Sequence, residues 1–202
     1  AKFEHAMKRQ KQLTRHKIDA HFSHVKRMKA QFSQYTKSRH RNAKQGSVIP
    51  EEWDWRNVSG RNYVTPAREQ QLCGSCYAFA AMGMYEARAR IQSNLTVQPI
   101  YSPQDVVSCC AFQQGCEGGF NYLVGKYAYT VGIVSEKCSP YYGDDLTCKD
   151  FSTCPPKERV FATSYEYIGG WYGATTEELM MQEIYENGPI AASFFVYDDF
   201  YK

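Results

Sequence analysis

Eight cysteines stand between positions 73 and 154 (Cys73, Cys76, Cys109, Cys110, Cys116, Cys138, Cys148 and Cys154), and none lies elsewhere in the 202 residues. Thiols this dense imply either a disulfide-stapled domain or a metal site. Cys73-Gly74-Ser75-Cys76 has a ligand-like spacing, but no second close pair with histidines accompanies it, so no metal site is expected. Asn57-Val58-Ser59 and Asn94-Leu95-Thr96 fit the glycosylation acceptor pattern, which makes Asn57 and Asn94 candidate glycan sites. Eight cysteines together with two sequons point to a secretory-route compartment.

Charge divides the chain. Residues 1–46 hold thirteen Lys/Arg against Glu4 and Asp19, a net +11, together with all five histidines (His5, His16, His21, His24, His40). Residues 47–202 hold eleven basic and nineteen acidic residues, a net −8, with every cysteine and tryptophan. A boundary near Gly46 follows, giving a basic segment (1–48) and a body (49–202). The segment carries a loose helical stripe of Ile18, Phe22, Val25, Phe32 and Tyr35, and Lys37 to Lys44 reads as an exposed, protease-sensitive linker. A basic arm can bind nucleic acid or anionic membrane. Here the acidic body is the preferred partner, so neither nucleic acid nor membrane is expected, and the arm reads as a pro-segment or assembly arm. The start, AKFEHAMKRQ, lacks Met and a signal-peptide pattern, which predicts a processed or shortened product. No apolar run approaches the roughly 18 residues a membrane helix needs.

Punctuation predicts the elements of the body. Ser75 precedes a run of helix formers from Cys76 to about Gln92, with Phe79, Ala80, Gly83, Met84, Ala87 and Ile91 on a predicted apolar stripe. Ser102-Pro103-Gln104-Asp105 reads as a capped helix start. Thr175-Thr176-Glu177-Glu178 reads as a capping box into Leu179–Glu186, ended by Asn187-Gly188-Pro189. Ile190 to Tyr197 reads as a strand with Ile190, Ala192, Phe194 and Val196 on one face. Gly-, Tyr- and Cys-rich loops fill the intervals.

The chemistry is concentrated in Gln70-Gln71-Leu72-Cys73-Gly74-Ser75-Cys76-Tyr77-Ala78-Phe79. A cysteine that begins a long helix meets unpaired amides and the positive end of the helix dipole, which favour an anionic sulfur. Attack on a peptide carbonyl also needs donors for the developing oxyanion, and the Cys76 amide and the Gln70 carboxamide suit that purpose.

These residues resemble the papain family of cysteine peptidases. The resemblance rests on Gln70 six residues before Cys76, the Cys-Gly-Ser-Cys core, Gly115-Cys116-Glu117-Gly118-Gly119 and Trp53-Asp54-Trp55-Arg56, and it covers about residues 49–202. Tyr77 after Cys76, Ser102 to Cys109, Tyr167-Ile168-Gly169-Gly170 and Val196 to Phe200 are similar to the family's dipeptidyl-peptidase branch. The resemblance implies Cys76 as nucleophile, Gln70 as oxyanion donor, and Gly118 and Gly119 in the substrate cleft. It implies a chloride ion held by Tyr122, Tyr167 and the Phe120 amide. Asn121 stands where that branch would have Pro, which leaves the preference of the neighbouring pocket open. It also implies bridges Cys73–Cys116, Cys109–Cys148 and Cys138–Cys154, with Cys110 unpaired. Arithmetic alone leaves fifteen pairings of six cysteines.

The fold expected from the resemblance is the α+β papain-like fold, of which this chain supplies mainly the helical half and the start of the β-rich half. Papain-type catalysis needs a His base and an orienting Asn, yet no histidine follows His40. The expected partners are therefore peptide substrates, a separate chain or downstream segment carrying His and Asn, an exclusion domain that restricts the cleft to N-terminal dipeptides, and further copies in a tetramer. The expected function is removal of dipeptides through a Cys76 thioester. The alternatives are a papain-like endopeptidase and a non-catalytic relative.

Overall fold

Residues 48–148 and 158–201 are described by the structure, a computed structural model. The basic segment with its apolar stripe and linker, and Cys154, lie outside the described residues. Residues 49–168 and 176–201 fall in one unit. Val48 and residues 169–175 group separately, and within the latter Ala174 N donates to Trp171 O at 3.1 Å.

Four α-helices order the described residues: α1 (Cys76–Gln92), α2 (Pro103–Cys109), α3 (Asn121–Thr130) and α4 (Glu177–Asn187). The core lies where α1 packs on α2 and α3, with Tyr77, Ala78, Ala81, Met82, Val106, Val107, Val124, Tyr127 and Ala128 in one buried cluster. Fully burying a side chain the size of Met82 contributes about 2 kcal/mol, so this cluster accounts for much of what holds the three helices together.

The buried face of α1 is not the predicted stripe. It runs through Tyr77, Ala78, Ala81, Met82, Glu86 and Ala87, and of the predicted set only Ala87 is buried. A Cβ on Gly83 would meet nothing. The reason is Glu86, a charged residue that a pattern reading puts outside. Its carboxylate is fully buried, yet it accepts from Arg68 Nη2 at 2.9 Å, Thr65 Oγ1 at 2.6 Å and Tyr101 N at 2.8 Å. A buried charge is tolerated when each of its oxygens is paired in this way. A second such pair joins α2 to the 158–162 segment. Arg159 Nη2 lies 3.0 Å from Asp105 Oδ1, both side chains 4% exposed, and Tyr127 Oη donates to Asp105 Oδ2 at 3.1 Å.

The helix termini follow local chemistry. Ser102 caps α2 by accepting from Asp105 N at 3.0 Å. At α4 the cap is Thr176, accepting from Leu179 N at 3.3 Å; the predicted capping box shifts by one residue, and N3 is then Leu179, which cannot reciprocate. Gly188 ends α4 with φ 108°, and a Cβ there would come within 2.7 Å of Ile91 Cδ1, so glycine serves both the turn and the close approach to α1. Strand is sparse among the described residues: only isolated antiparallel bridges occur (Val58–Arg61, Tyr101–Ser135, Ile133–Val160). The strand predicted over Ile190 to Tyr197 does not pair with any described segment. Alternation sets which way side chains face, but a ladder needs a neighbour, and Phe194, Phe195 and Tyr197 stand exposed.

Candidate active site

Cys76 is the first residue of α1, a free and exposed thiol flanked by the buried Ser75 and Tyr77. The amides of a helix's first turn have no partner within the helix, and the first turn of α1 carries no acidic side chain to oppose an anion. The loop leading into it is laced at every step. Gln70 Nε2 donates to Cys73 O at 2.9 Å, and Gln70 O accepts from Tyr141 Oη at 2.7 Å. Tyr141 Oη in turn bonds Ser75 Oγ at 2.6 Å. With its own proton given to Gln70 O, Tyr141 receives the one from Ser75. A carboxamide nitrogen has two N–H groups, so Gln70 keeps one beyond the one that holds the loop.

The Cys76 loop is stitched to the Gly115–Gly119 loop. Cys73 and Cys116 form a disulfide, Gly74 N donates to Cys116 O at 2.8 Å, and Tyr77 Oη donates to Gly115 O at 2.9 Å. A Cβ at Gly74 would overlap Cys116 O, which explains the glycine. Burial raises the Tyr77 phenol above its ordinary value, so it stays protonated and keeps donating. Asp145 Oδ1 accepts from Cys116 N at 2.8 Å and braces the same loop from outside. Gly118 has φ 117° and nothing within 4 Å of a notional Cβ, so its backbone is open to an approaching chain. Gly118 N lies 3.6 Å from the notional Cβ of Gly74, and Gly119 abuts Tyr77, which puts this edge beside residues that flank Cys76.

The other cysteines are withdrawn from this chemistry. Cys109 and Cys148 form a second disulfide, and Cys138 is also bonded. Cys110 is free but buried, and burial first, with Asp105 nearby, pushes its thiol up to about 11. It is therefore protonated where Cys76 is exposed. Asn57 and Asn94 are both exposed; Asn94 Oδ1 accepts from Arg61 Nη1 at 2.9 Å.

The residues expected to hold chloride come together but do not form an open donor set. Tyr122 and Tyr167 stack with centroids 4.3 Å apart. Tyr122 shares a side-chain hydrogen bond with Tyr165, and burial pushes its phenol up to about 12. The Phe120 amide donates to Gln113 Oε1 at 2.9 Å. An anion would have to displace Gln113, so these residues as arranged do not fit it, and no step is derived through chloride. Sequence reading missed Tyr141 and Asp145, which act across 71 and 29 residues, and Gln113, which acts across 7; none of them carries a local motif. Asn121 Oδ1 is buried without a partner. Among the described residues no group of three or more potential metal ligands comes together.

Residues 49–202 match the family described as papain family cysteine protease. Cathepsin C of Schistosoma mansoni is 45% identical over 156 residues, covering 75% of this chain and 34% of that protein. Cathepsin Z of Onchocerca volvulus is 38% identical over 152 residues, covering 71% of this chain and 49% of that protein. Among solved structures, the digestive procathepsin L2 proteinase of Tenebrio molitor larval midgut aligns with a TM-score of 0.50 at 30% identity, over 56% of this chain and 34% of that one. The chain spans about a third to a half of the length of these relatives. Its laced Cys76 loop, its helical half-fold and the match over most of its length lead to one conclusion: the chain belongs to the papain family of cysteine proteases.

Proposed function

We propose that this chain carries the nucleophile of a peptidase that removes dipeptides from free N-termini. The observation that carries the reading is the exposed, unbridged Cys76 at the head of α1, on a loop tied to the segment that carries Gly118, where a notional Cβ meets nothing within 4 Å. The 45% identity to a cathepsin C supports the dipeptidyl specificity, against 38% for a cathepsin Z and 34% for a cathepsin B-like proteinase of Caenorhabditis elegans. Tyr77, which ties down the Gly115 carbonyl, supports it as well.

In this reading the Cys76 thiolate adds to the scissile carbonyl carbon, and the oxyanion takes hydrogen bonds from the Cys76 amide and the remaining Gln70 N–H. The C–N bond then breaks, a proton goes to the departing amine, and the acyl group stays on sulfur as a thioester. Water adds to that thioester, loses its proton and releases the dipeptide, restoring the sulfur. The group that takes the thiol proton and hands it to the amine suits an imidazole, acting as imidazolium when it donates. Ionised carboxylates hold no proton to give, and Tyr and Lys are already protonated near neutrality and cannot take one. Residues 47–202 contain no histidine. The reading therefore calls for a His and an Asn on a second chain or downstream segment, and for an exclusion domain that meets the substrate's amine. It includes a lysosomal or secretory setting with glycans on Asn57 and Asn94, and a tetramer.

The test is hydrolysis by the native assembly, whose intact mass reveals any His-bearing chain. Free dipeptidyl amides should turn over and their N-acylated counterparts should not, with a thiol-directed epoxide labelling Cys76 alone. Equal cleavage of blocked peptides would favour the endopeptidase reading, and an unlabelled Cys76 with no turnover would favour a non-catalytic relative.

A further inference from the structure

One backbone unit beside the nucleophile is held in an unusual way. Phe120 is extended, with φ −130° and ψ 130°, and directly precedes α3. Its N–H donates to Gln113 Oε1 at 2.9 Å, and its carbonyl accepts from Gln113 Nε2 at 2.8 Å. A single carboxamide thus gives Phe120 what a facing residue gives in an antiparallel pair, one donor and one acceptor. Gln113 is itself anchored, since its backbone N–H donates to Cys110 O at 3.0 Å, and the adjoining Gln114 N donates to Gly118 O at 3.2 Å. Gly119 makes the clamp possible: a Cβ there would overlap Gln113 Oε1 and come within 2.9 Å of Tyr77 Cδ2.

The N–H in this clamp is the amide that the family resemblance would give to chloride. An N–H well aligned on Oε1 at 2.9 Å is not available to an anion as well. We propose that in this chain the Gln113 carboxamide replaces that anion: it fixes the Phe120 backbone, and with it the Gly118–Phe120 edge of the cleft, so that positioning of substrate does not depend on chloride. The inference rests on the reading that this edge borders the cleft, and Gln113 acts on substrate only through Phe120, as a positioning residue. Two hydrogen bonds to one peptide unit fix both its place and its orientation, which is what a rigid edge for a peptide substrate requires. The carboxamide is covalently part of the loop, so it holds this geometry at any salt composition.

The test uses the assembled peptidase at constant ionic strength with chloride exchanged for acetate. Wild type should keep the same kcat/KM in both buffers. Gln113→Ala should raise KM roughly five- to tenfold in acetate, about what one to two net neutral hydrogen bonds supply, with a smaller change in kcat. Chloride should reverse that rise by entering the vacated amide. Gln113→Glu, which keeps the acceptor for the Phe120 N–H but loses the donor to its carbonyl, should stay insensitive to chloride with an intermediate KM. Hydrogen exchange at the Phe120 amide gives a readout without turnover: protected in wild type in both buffers, and protected in Gln113→Ala only with chloride. Loss of wild-type activity or of Phe120 protection on removing chloride would overturn the proposal. So would a Gln113→Ala enzyme with unchanged KM, or one whose raised KM chloride does not lower. Should the assembly prove inactive, with Cys76 unlabelled by epoxide, the peptidase reading fails, and the exchange data alone still decide what holds the Phe120 amide.

Discussion

Helices α1 and α4 are both announced by local sequence signals, yet they are held in opposite ways. Six of the seventeen residues of α1 are buried, among them a fully paired Glu86, whereas none of the eleven residues of α4 is. α4 is attached at its edges instead. Arg88 Nη2 meets Glu183 Oε1 at 3.0 Å, Trp55 Nε1 donates to Ile184 O at 2.6 Å, and the ring of Trp53 stands edge-on to Tyr185 at 4.7 Å. Caps and propensity decide whether a helix forms; the surface it meets decides what it contributes. The proposed nucleophile, Cys76, sits on the helix with the buried face. The helix held by its rim leads into residues 190–197, where Phe194 and Phe195 are 68% and 88% exposed.

The largest test of this contrast separates chemistry from anchoring within α1 itself. Cys76→Ser should abolish turnover of the assembled enzyme, on the order of 10⁴-fold or more, while shifting stability by no more than about 0.5 kcal/mol because the side chain is exposed. Parallel assays of hydrolysis and urea unfolding would show it, and residual activity, or a large stability loss, would break the assignment. Next in size is a pair of matched charge removals. Glu86→Gln removes a fully buried charge that accepts from Arg68, Thr65 and Tyr101, and should cost about 2–3 kcal/mol, while Arg68, itself a quarter exposed, keeps Glu136 at 3.4 Å. Glu183→Gln removes a partner of the quarter-exposed Arg88 and should cost about 1 kcal/mol or less. Equal losses in denaturant unfolding would erase the distinction between the two helices. The caps come third: Thr176→Ala should cost about 1 kcal/mol. Ser102→Ala should cost more, since Ser102 is buried and also donates to Ser139 O. The order of the two melting shifts is the check.

What the sequence made legible was mostly local. The bounds of α1, the Ser102 cap and the Asn187-Gly188-Pro189 stop are written in neighbouring residues, and the structure places them there. The buried face of α1 was misread because Glu86 finds Arg68, Thr65 and Tyr101 from distant positions, and no periodicity announces such partners. α3 was missed altogether. Its N-cap, Phe120, offers no side-chain bond, and Gly125, an apparent helix breaker, is the residue that lets Tyr165 pack close. At the site, Cys76 and Gln70 stand in one short motif and Gly118 and Gly119 in a second, both singled out by the family resemblance, while Tyr141 and Gln113 carry no such signal. Tyr141 meets Gln70 across 71 residues and Gln113 meets Phe120 across 7, through a hydroxyl and a carboxamide that look like ordinary loop polarity.

The smallest effect is a difference in the sign of pH dependence between the two regions. At the α1–α2 core, burial raises the Asp105 carboxyl above its ordinary 3.8, with Arg159 and Tyr127 only partly opposing that. At the exposed start of α4, a backbone hydrogen bond and the Thr176 hydroxyl lower Glu178 below its ordinary 4.5. A raised folded value means that the native state takes its proton first. Asp105's relative contribution is thus fully present below 3.8 and lost as pH rises through its folded value. A lowered value works the other way: the contribution of Glu178 is present above 4.5 and lost as pH falls through its folded value. Urea unfolding of wild type, Asp105→Asn and Glu178→Gln across mild acid should show this in the differences between curves. Asp105→Asn carries a constant loss from the removed Arg159–Asp105 ion pair, on which the gap to wild type should widen as pH falls toward 3.8, because wild type is then regaining stability that the variant cannot. The gap between wild type and Glu178→Gln should instead close below 4.5. If both gaps moved in the same direction, acid response would be a property of the whole fold, and the contrast between a buried core and a rim-held helix would not extend to protons.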